Sequence, residues 1–575
     1  MKRNGGKGIQ NSRRKRVHIV FGRLAYCLLF ISIQAAVLIF MYLSAVEQLP
    51  YFLLGCTVLS LLCAAHLINR NDNPAYTVAW LVPMLLLPIF GGLLYLMFGS
   101  GRVTKKQRAL SFLLRKNAET DVGVPDAVRK INGNGAEKPA GNAADETAET
   151  PKTTETSKTT ETSKTAETPK TAEAAEQKEA PEGAASARMQ SAYLSRVSGC
   201  LPYEDTETLY FPSGEAMFPE LLSVLRRAET YIFISAFIID EGVFWDAVLA
   251  VLREKAEAGL DVRVMYDDFG CLLTLPRHYD AYLRSLGIKS QVYNRFNTIL
   301  SPRPNNRDHR KLCIVDGKYG FCGGANFADE YINRRVRFGY WKDAAVLLRG
   351  PGVWGMTAQY LSVWDFCAGE REALSPFVPK TWDFPENARI SANPGIVQPF
   401  TDIPMDREQV GETVYFHLIT KAERYVWIMS PYLVIDHTLL SALTAAAKSG
   451  ADVRILTPHI PDKRVIHFLT RSYYRPLLEA GVRIFEYTPG FLHAKTVVSD
   501  DRFAVVGSIN MDYRSLYLHT ECGVWMYGTD AVRAVRDDFL RTQAESAEVT
   551  TEQLGQLTWY KRLWLSVLRT FAPLF

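Results

Sequence analysis

The sequence lacks the motifs that mark several common protein classes. Its nine cysteines in 575 residues form no C-x-x-C pair, which argues against a zinc ribbon and a dense disulfide scaffold. No Walker-type or G-x-G-x-x-G loop accompanies its polar motifs, so nucleotide-driven chemistry is unsupported. Basic residues barely exceed acidic ones, 66 against 61, and a net charge of +5 does not indicate a protein that coats nucleic acid. The composition therefore argues against several classes of protein without indicating the function.

Long apolar runs, by contrast, are present. Three uncharged runs, Leu24–Val46, Leu49–Ile68 and Ala75–Phe98, fill most of the first hundred residues. A helix needs about 20 apolar residues to cross hydrocarbon, so each run is long enough. They predict an α-helical membrane anchor over 24–98, behind a basic cytoplasmic N-terminus over 1–23. A cleaved signal peptide or a set of buried core helices fits these runs less well.

The topology of this anchor stays open between two and three crossings. Basic residues lie both before the first run and after the third, and three full crossings would put these two groups on opposite sides. Pro83, Pro88 and the pair Gly91-Gly92 interrupt the third run, so a kinked or re-entrant segment is an alternative to a plain span. That alternative favours a multi-pass cell-membrane protein with a cytoplasmic catalytic domain.

Residues 117–190 predict a disordered, low-complexity linker. Four hexads, TAETPK, TTETSK, TTETSK and TAETPK, run in tandem from Thr147 to Lys170. A segment without apolar residues cannot offset the conformational entropy lost on folding. We expect a tether between the anchor and the remainder of the chain.

Beyond the linker, the chain is an internal repeat with alternating strand and helix patterns. Predicted strands at Tyr231–Ile239 and Asp261–Asp268 recur at Tyr425–Val434 and Asp452–Pro458, with a helical stretch between the members of each pair. The predicted fold class is α/β, with two fused repeats in which helices flank a mixed sheet. The repeats are expected over 191–385 and 386–575, and the second includes an aromatic, basic C-terminal segment. That segment fits an interfacial amphipathic helix and an ordinary capping helix equally well.

Each repeat ends in the same polar pattern, H-x-K-x4-D-x6-G-[GS]-x-N. The residues are His309, Lys311, Asp316 and Asn326 in the first repeat and His493, Lys495, Asp500 and Asn510 in the second. Two matches at equivalent positions are not accidental. The apolar residues after each lysine indicate a strand, on which positions i and i+2 point to one face.

Two such units facing one another would form a phosphodiester site. The ammonium and amide groups would stabilise charge on the non-bridging oxygens, while one imidazole attacks phosphorus and the other protonates the leaving oxygen. The two aspartates are expected to brace the structure or orient a histidine more than to make bonds. A zinc site built from both histidines and both aspartates is the rival, although the neighbouring lysines would repel a metal. No role is assigned to the other histidines, His278, His417, His437, His459, His467 and His519.

At these residues the sequence closely resembles the phospholipase D superfamily and, within it, the bacterial cardiolipin synthases. The resemblance covers about 73–116 and 200–575, and the most specific stretches are NNRDHRK (Asn305–Lys311), GGANFADEYINRR (Gly323–Arg335) and GSINMDYRS (Gly507–Ser515). It departs from the family at Ser235, where an acidic residue is common, and by an apparent extra membrane run.

The resemblance implies a metal-independent phosphatidyl transfer with no cofactor. The substrate would be phosphatidylglycerol in a membrane, with no nucleic acid and no obligatory protein partner. His309 would be the nucleophile and His493 the acid and base, an order that the sequence symmetry alone does not give. Glu521, and with less support Asp343, would orient the histidines. A hydrolase that passes the intermediate to water, another phosphatidyltransferase of the superfamily and an inactive membrane-tethered lipid-binding protein are the alternatives.

Overall fold

The structure, a computed structural model, describes most of the chain beyond the linker and parts of the N-terminal region. The described residues are 36–37, 39, 49–69, 73–87, 91–95, 183–295, 306–382, 384, 391–405, 408–555 and 558–574. Most of the first apolar run and most of the predicted linker lie outside them. Among the described residues, no helix combines the length and apolar character needed to cross a membrane.

The first repeat is built around a seven-stranded mixed sheet. Its strands, with two short strands outside that sheet, are β1 (Glu207–Phe211), β2 (Tyr231–Ala236), β3 (Asp261–Asp267), β4 (Lys289–Tyr293), β5 (Arg307–Asp308), β6 (Leu312–Val315), β7 (Tyr319–Gly323), β8 (Tyr340–Lys342) and β9 (Ala345–Arg349). The order across the sheet is β1-β9-β7-β6-β2-β3-β4. Strands β2, β3 and β4 are parallel and the remaining pairs are antiparallel.

The second repeat reproduces this order. Its strands are β10 (Ile396–Asp402), β11 (Tyr425–Met429), β12 (Leu433–Val434), β13 (Asp452–Pro458), β14 (Arg483–Tyr487), β15 (Gly490–Leu492), β16 (Thr496–Ser499), β17 (Phe503–Gly507), β18 (Met511–Asp512), β19 (His519–Tyr527) and β20 (Ser546–Val549). Eight of them form a sheet in the order β10-β19-β17-β16-β11-β13-β14-β20, and the short strands β12, β15 and β18 lie outside this order. The repeat inferred from the sequence is therefore a structural repeat, and β20 extends its second sheet.

Helices cover the sheets. The described helices are α1 (Leu49–Ile68), α2 (Pro74–Leu86), α3 (Gly91–Leu94), α4 (Ala184–Ser198), α5 (Gly214–Arg226), α6 (Val243–Glu257), α7 (Tyr279–Ser285), α8 (Val353–Ala368), α9 (Val410–Thr420), α10 (His437–Lys448), α11 (Arg464–Ser472), α12 (Tyr474–Glu479), α13 (Tyr513–Tyr517), α14 (Asp530–Ala544) and α15 (Trp559–Thr570). Short 3₁₀ helices lie at Asp329–Ile332, Ser375–Phe377 and Ala572–Leu574. Helix α4 begins inside the segment predicted as linker, because Ala187, Gln190 and Leu194 are buried.

Alternation along each strand divides the apolar side chains between two cores. Ile232 and Ile234 of β2 face an outer core shared with α5 and α6, whereas Phe233 faces a central core. This is the period of two that a strand imposes. The central core takes side chains from both repeats, including Val346 of β9 and Val524 of β19. The two repeats are thus packed face to face on one apolar layer.

Two short strands pair across the boundary between the repeats. Strand β5 runs parallel to the start of β19, with Asp308 opposite Thr520, and β15 runs parallel to β8, with Leu492 opposite Lys342. The exchange is reciprocal, since each repeat lends one strand to the other. These pairings place His309 beside β19 of the second repeat and His493 beside β8 of the first repeat.

The N-terminal helices form a small packed unit against the second repeat. Cys63 and Leu67 of α1 pack with Trp80 and Met84 of α2. Helix α2, which contains Pro83, ends at Leu86, and α3 begins at Gly91, so the third apolar run is interrupted where the sequence carries proline and glycine.

Candidate active site

His309 lies where the chain leaves β5, beside the second repeat. Its backbone N–H donates to the carbonyl of Thr520 at 2.8 Å. Its ring Nδ1 lies 2.8 Å from Oε1 and 3.0 Å from Oε2 of Glu521. A carboxylate only accepts hydrogen bonds, so the proton is on Nδ1 and Nε2 carries the free lone pair. The first repeat's histidine is therefore oriented by a carboxylate from the second.

His493 has the mirror-image arrangement. Its backbone N–H donates to the carbonyl of Lys342 at 2.7 Å, and its Nδ1 lies 2.7 Å from Oδ2 of Asp343. Asp343 belongs to the first repeat and is fully buried. Both histidines thus present Nε2 as the nitrogen available to a ligand, held by a carboxylate from across the boundary.

Gly324 permits the close approach on the Asp343 side. A side chain there would meet Oδ1 of Asp343 at 2.1 Å and the carbonyl oxygen of His493 at 3.2 Å. The equivalent residue of the second repeat is Ser508, whose hydroxyl donates to Glu521 instead. The choice of glycine or serine in the repeated pattern therefore follows from how each carboxylate is held.

The two lysines are buried beside the histidines, and each Nζ donates to the carbonyl of the histidine two residues earlier. Burial lowers the pKa of Lys311 to about 8 and that of Lys495 to about 7. Burial also lowers the pKa of both imidazoles, and the charge of Lys311 adds to this effect at both histidines. Since one ammonium influences both rings, the two half-sites share one electrostatic environment.

The two aspartates of the repeated pattern face away from this chemistry. Asp316 accepts backbone hydrogen bonds from Glu229, Thr230 and Tyr231 at 2.8–2.9 Å. Asp500 accepts the equivalent bonds from Glu423, Arg424 and Tyr425 at the same distances. Each carboxylate fixes the start of a central strand, β2 or β11. Both carboxylates are thus bound to backbone N–H groups of their own repeat.

The two asparagines differ in how the protein uses them. Asn326 accepts from the backbone N–H of Ile238 at 3.0 Å and donates to the Tyr331 hydroxyl at 2.7 Å. Asn510 is buried, and its Oδ1 has no partner among the described residues. The amide of Asn326 thus supports the local fold, whereas Asn510 retains polar capacity for a ligand.

Comparisons with known proteins show the family of the chain. Residues 221–337 and 415–542 match the family described as "Cardiolipin synthase, PLD-like domain", and residues 58–100 match "Phospholipase_D-nuclease N-terminal". A cardiolipin synthase of Geobacillus kaustophilus is 32% identical over 532 residues, covering 91% of this chain and 93% of its own. The chain belongs to the cardiolipin synthase family. That family places it among the phosphatidyltransferase enzymes of the phospholipase D superfamily.

Two further likenesses complete the comparison. An uncharacterized protein of Streptococcus mutans is 44% identical over 382 residues, covering 66% of this chain and 81% of its own. Among solved structures, a phosphatidylserine synthase of Haemophilus influenzae is similar with a TM-score of 0.48 and 17% identity, covering 64% of this chain and 93% of that one. The structural likeness is too distant to carry an argument about the site.

One expectation about this cardiolipin synthase-family site needs correction, and one disfavoured alternative is excluded by the geometry. His309 and Lys311 do not lie on a strand, because β6 begins at Leu312 and β16 at Thr496. The residues before these strands bond to the other repeat instead of to their own sheet. The rival zinc site of two histidines and two aspartates is also wrong, because Asp316 and Asp500 are committed to backbone N–H groups. The group with metal-ligand spacing among the described residues is instead His309, His519 and Glu521.

His519, to which the sequence pattern assigned no role, lies beside this site. Its ring centre lies 5.4 Å from that of His309, and its Nδ1 lies 3.6 Å from Oε1 of Glu521. The available signal was its position two residues before Glu521. The equivalent position in the first repeat, two residues before Asp343, is Trp341, whose ring lies 5.2 Å from His493.

Proposed function

We propose that this chain is a cardiolipin synthase that joins two phosphatidylglycerol molecules. Two histidines, each oriented at Nδ1 by a carboxylate of the other repeat, carry this proposal. Such a pair can divide phosphoryl transfer into two displacements, one histidine forming the covalent bond and the other moving the proton. The names of the curated relatives, with coverage of about nine-tenths of both chains, support the choice of lipid.

In the first step, Nε2 of His309 attacks the phosphorus of one phosphatidylglycerol. The bond from phosphorus to the headgroup glycerol breaks, and His493 gives the departing oxygen a proton, so that free glycerol leaves. In the second step, neutral His493 takes the proton from a headgroup hydroxyl of a second phosphatidylglycerol. That oxygen attacks phosphorus, the bond to His309 breaks, and cardiolipin is released.

The remaining residues support charge and position in both steps. Lys311 and Lys495, together with the side-chain amide N–H of Asn510, stabilise the non-bridging oxygens, where negative charge accumulates. Asn326 is proposed to contribute through the donor capacity that Tyr331 leaves unused. The phosphate charge raises the pKa of both imidazoles towards the range that proton transfer needs. Asp316 and Asp500 brace the strands, and no cofactor is required in this scheme.

The proposed location is the cell membrane, reached by multi-pass anchoring, with the catalytic repeats on the cytoplasmic side. The three apolar runs support the anchor. Helix α15 adds an apolar surface, since Trp559, Leu563 and Trp564 are exposed on it while Leu565 and Leu568 are buried. Exposed aromatic residues beside basic ones suit the interfacial region of a bilayer.

The test is product analysis with full-length protein and phosphatidylglycerol in detergent or vesicles, with a chelator present. We expect cardiolipin and glycerol in equal amounts. Phosphatidic acid as the main product would replace the synthase proposal with a hydrolase. Loss of turnover on chelation would overturn the metal-free scheme, and binding of the lipid without turnover would indicate an inactive lipid-binding protein.

A further inference from the structure

His519 is a buried histidine whose position the repeat pattern does not explain. It is 9% exposed, and neither ring nitrogen has a hydrogen-bond partner among the described residues. Burying polar nitrogens without partners is costly, and buried polar groups in proteins are nearly always paired. An ordinary core histidine would not be left in this state. The position therefore calls for a functional explanation.

The surroundings of His519 connect it to one half-site only. Its ring lies beside His309 and Phe237, with centres 5.4 and 6.5 Å away. Its Nδ1 stands 3.6 Å from the Glu521 oxygen that also pairs with His309. One carboxylate therefore serves two imidazoles on this side of the pocket.

Among the residues that the structure describes, no second imidazole lies beside the carboxylate of the other half-site. Asp343 faces His493, and the place of His519 is taken by Trp341, which carries no charge. The repeat fold is the same on both sides, so this exchange of tryptophan for histidine is a local difference in chemistry. Glu521 therefore interacts with two imidazoles, whereas Asp343 interacts with that of His493 alone.

We propose that His519 is a positioning residue that makes the two half-sites unequal and assigns His309 to the nucleophilic role. The inference rests on the proposed function. A second imidazole stands 3.6 Å from the Glu521 oxygen that His309 also uses, and it competes for the negative charge that would hold a proton on His309. His309 is thereby kept neutral, with Nε2 free to attack, while His493 keeps an unshared carboxylate and holds the proton that the leaving group needs.

The charged groups around these rings are consistent with that assignment. His309 is faced by Glu521, by Lys311 of its own segment and by His519, and both Lys311 and His519 oppose its protonation. Opposite His519 in the paired strand lies Arg307, whose guanidinium is directed to Asp267 and to the carbonyl of Asn294. Glu521 is thus the negative group that the two imidazoles share.

The test copies one half-site onto the other in full-length protein. His519→Trp installs the residue found beside His493, and His519→Asn removes the imidazole with a smaller polar group. His417→Asn is the matched control, since its Nδ1 is also buried without a partner, on α9 outside the site. Turnover of phosphatidylglycerol is stopped by an alkaline denaturing quench, and the histidine that carries the lipid adduct is identified by peptide mass spectrometry. The pH profile of kcat/KM is measured alongside.

We expect the wild type and the control to carry the adduct on His309 alone. In His519→Trp the adduct should appear on both His309 and His493. The acidic limb of kcat/KM should move to higher pH by about half a unit to one unit, because His309 then binds its proton more tightly. If thermal melting shows that the tryptophan variant is misfolded, the asparagine variant gives the same comparison.

The inference would be overturned if both variants carried the adduct on His309 alone and the acidic limb of kcat/KM stayed at the same pH. A rise in KM would not rescue it, because His519 would then only contact substrate. A wild-type adduct on His493 would also overturn it, while leaving the two-histidine scheme standing. Absence of any histidine adduct in turning-over wild type would instead refute the proposed function.

Discussion

The two half-sites of this molecule have the same backbone plan and different surroundings. His309 faces Glu521, which also accepts from the Ser508 hydroxyl and stands near His519. His493 faces Asp343, which lies against a glycine and beside a tryptophan. A duplicated fold supplies two matching histidines, but two equal groups would compete for both roles of the reaction. The comparison teaches that the asymmetry lies in the residues that contact the histidines, not in the repeated motif itself.

The strongest way to break the comparison is to remove each histidine in turn. His309→Ala and His493→Ala should each lower kcat by about 1,000-fold or more, because neither displacement proceeds without both groups. Turnover is measured as glycerol release from phosphatidylglycerol. His437→Ala, an exposed histidine on α10, is the control and should be unchanged. A near-normal rate in either active-site variant would show that the half-sites work independently.

Removing the carboxylates tests whether the crossed pairing is needed on both sides. Glu521→Gln and Asp343→Asn should each lower kcat by about 100-fold or more, since the amide no longer fixes the tautomer or stabilises the imidazolium. The comparison is steady-state kinetics at equal folded fraction. Glu486→Gln breaks a similar pair, with His459 at 3.0 Å, outside the site and should have little effect. If one of these two variants keeps the wild-type kcat, the carboxylate of that half-site is not needed for turnover.

The lowered pKa values of the two active-site lysines predict how activity depends on pH. The pKa of Lys311 is lowered to about 8 and that of Lys495 to about 7, so the charges that attract the phosphate are lost as pH rises. We expect kcat/KM to fall about tenfold per unit above these values. The alkaline limb of the kcat profile should lie at higher pH than that of kcat/KM, because bound phosphate stabilises the ammonium groups.

The variant for this prediction is Lys495→Arg, whose side chain stays charged. It should move the alkaline limb upwards, while Lys448→Arg, at an exposed position on α10, leaves it in place. A profile of the wild type that stays flat across this range would mean that the lysines do not titrate there.

The smallest effect on rate is expected at the bracing aspartates. Asp316→Asn and Asp500→Asn each set an amide N–H against a backbone N–H, which should cost about 1–3 kcal/mol of stability. The kcat of the folded fraction should stay within about twofold of the wild type. Thermal melting and kinetics are measured together, with the surface variant Asp537→Asn as control. A large loss of kcat at unchanged melting temperature would mean that the aspartates act in the chemistry.

Much of the fold and of the candidate site was predictable from sequence. The equal spacing of histidine, lysine, aspartate, glycine and asparagine identified the repeat and its polar residues. Strand β13 was predicted to the residue and β3 to within one residue, and α6 is the helical stretch expected between the first pair of strands. These features depend on neighbours in the chain, where apolar alternation and helical periodicity act directly.

Contacts between residues far apart in the chain could not be predicted from local sequence patterns. Glu521 lies 212 residues from His309, and Asp343 lies 150 residues from His493. The sequence and family resemblance named all four residues, but not which carboxylate meets which histidine. That choice is made by β5 and β15, which pair with strands of the opposite repeat. The early start of α4 also depends on residues far along the chain, because Gln190 accepts a hydrogen bond from the indole N–H of Trp525 at 3.0 Å.

The sequence by itself determined the two histidine, lysine, aspartate and asparagine patterns and the duplicated plan that carries them, because motif spacing and strand periodicity are properties of adjacent positions. Only the tertiary structure decided how the two copies interlock, which carboxylate orients each imidazole, and that His519 stands beside one histidine and not the other. The physical reason is that these contacts depend on the packing of two sheets around a shared apolar layer, and that packing joins residues far apart in the chain.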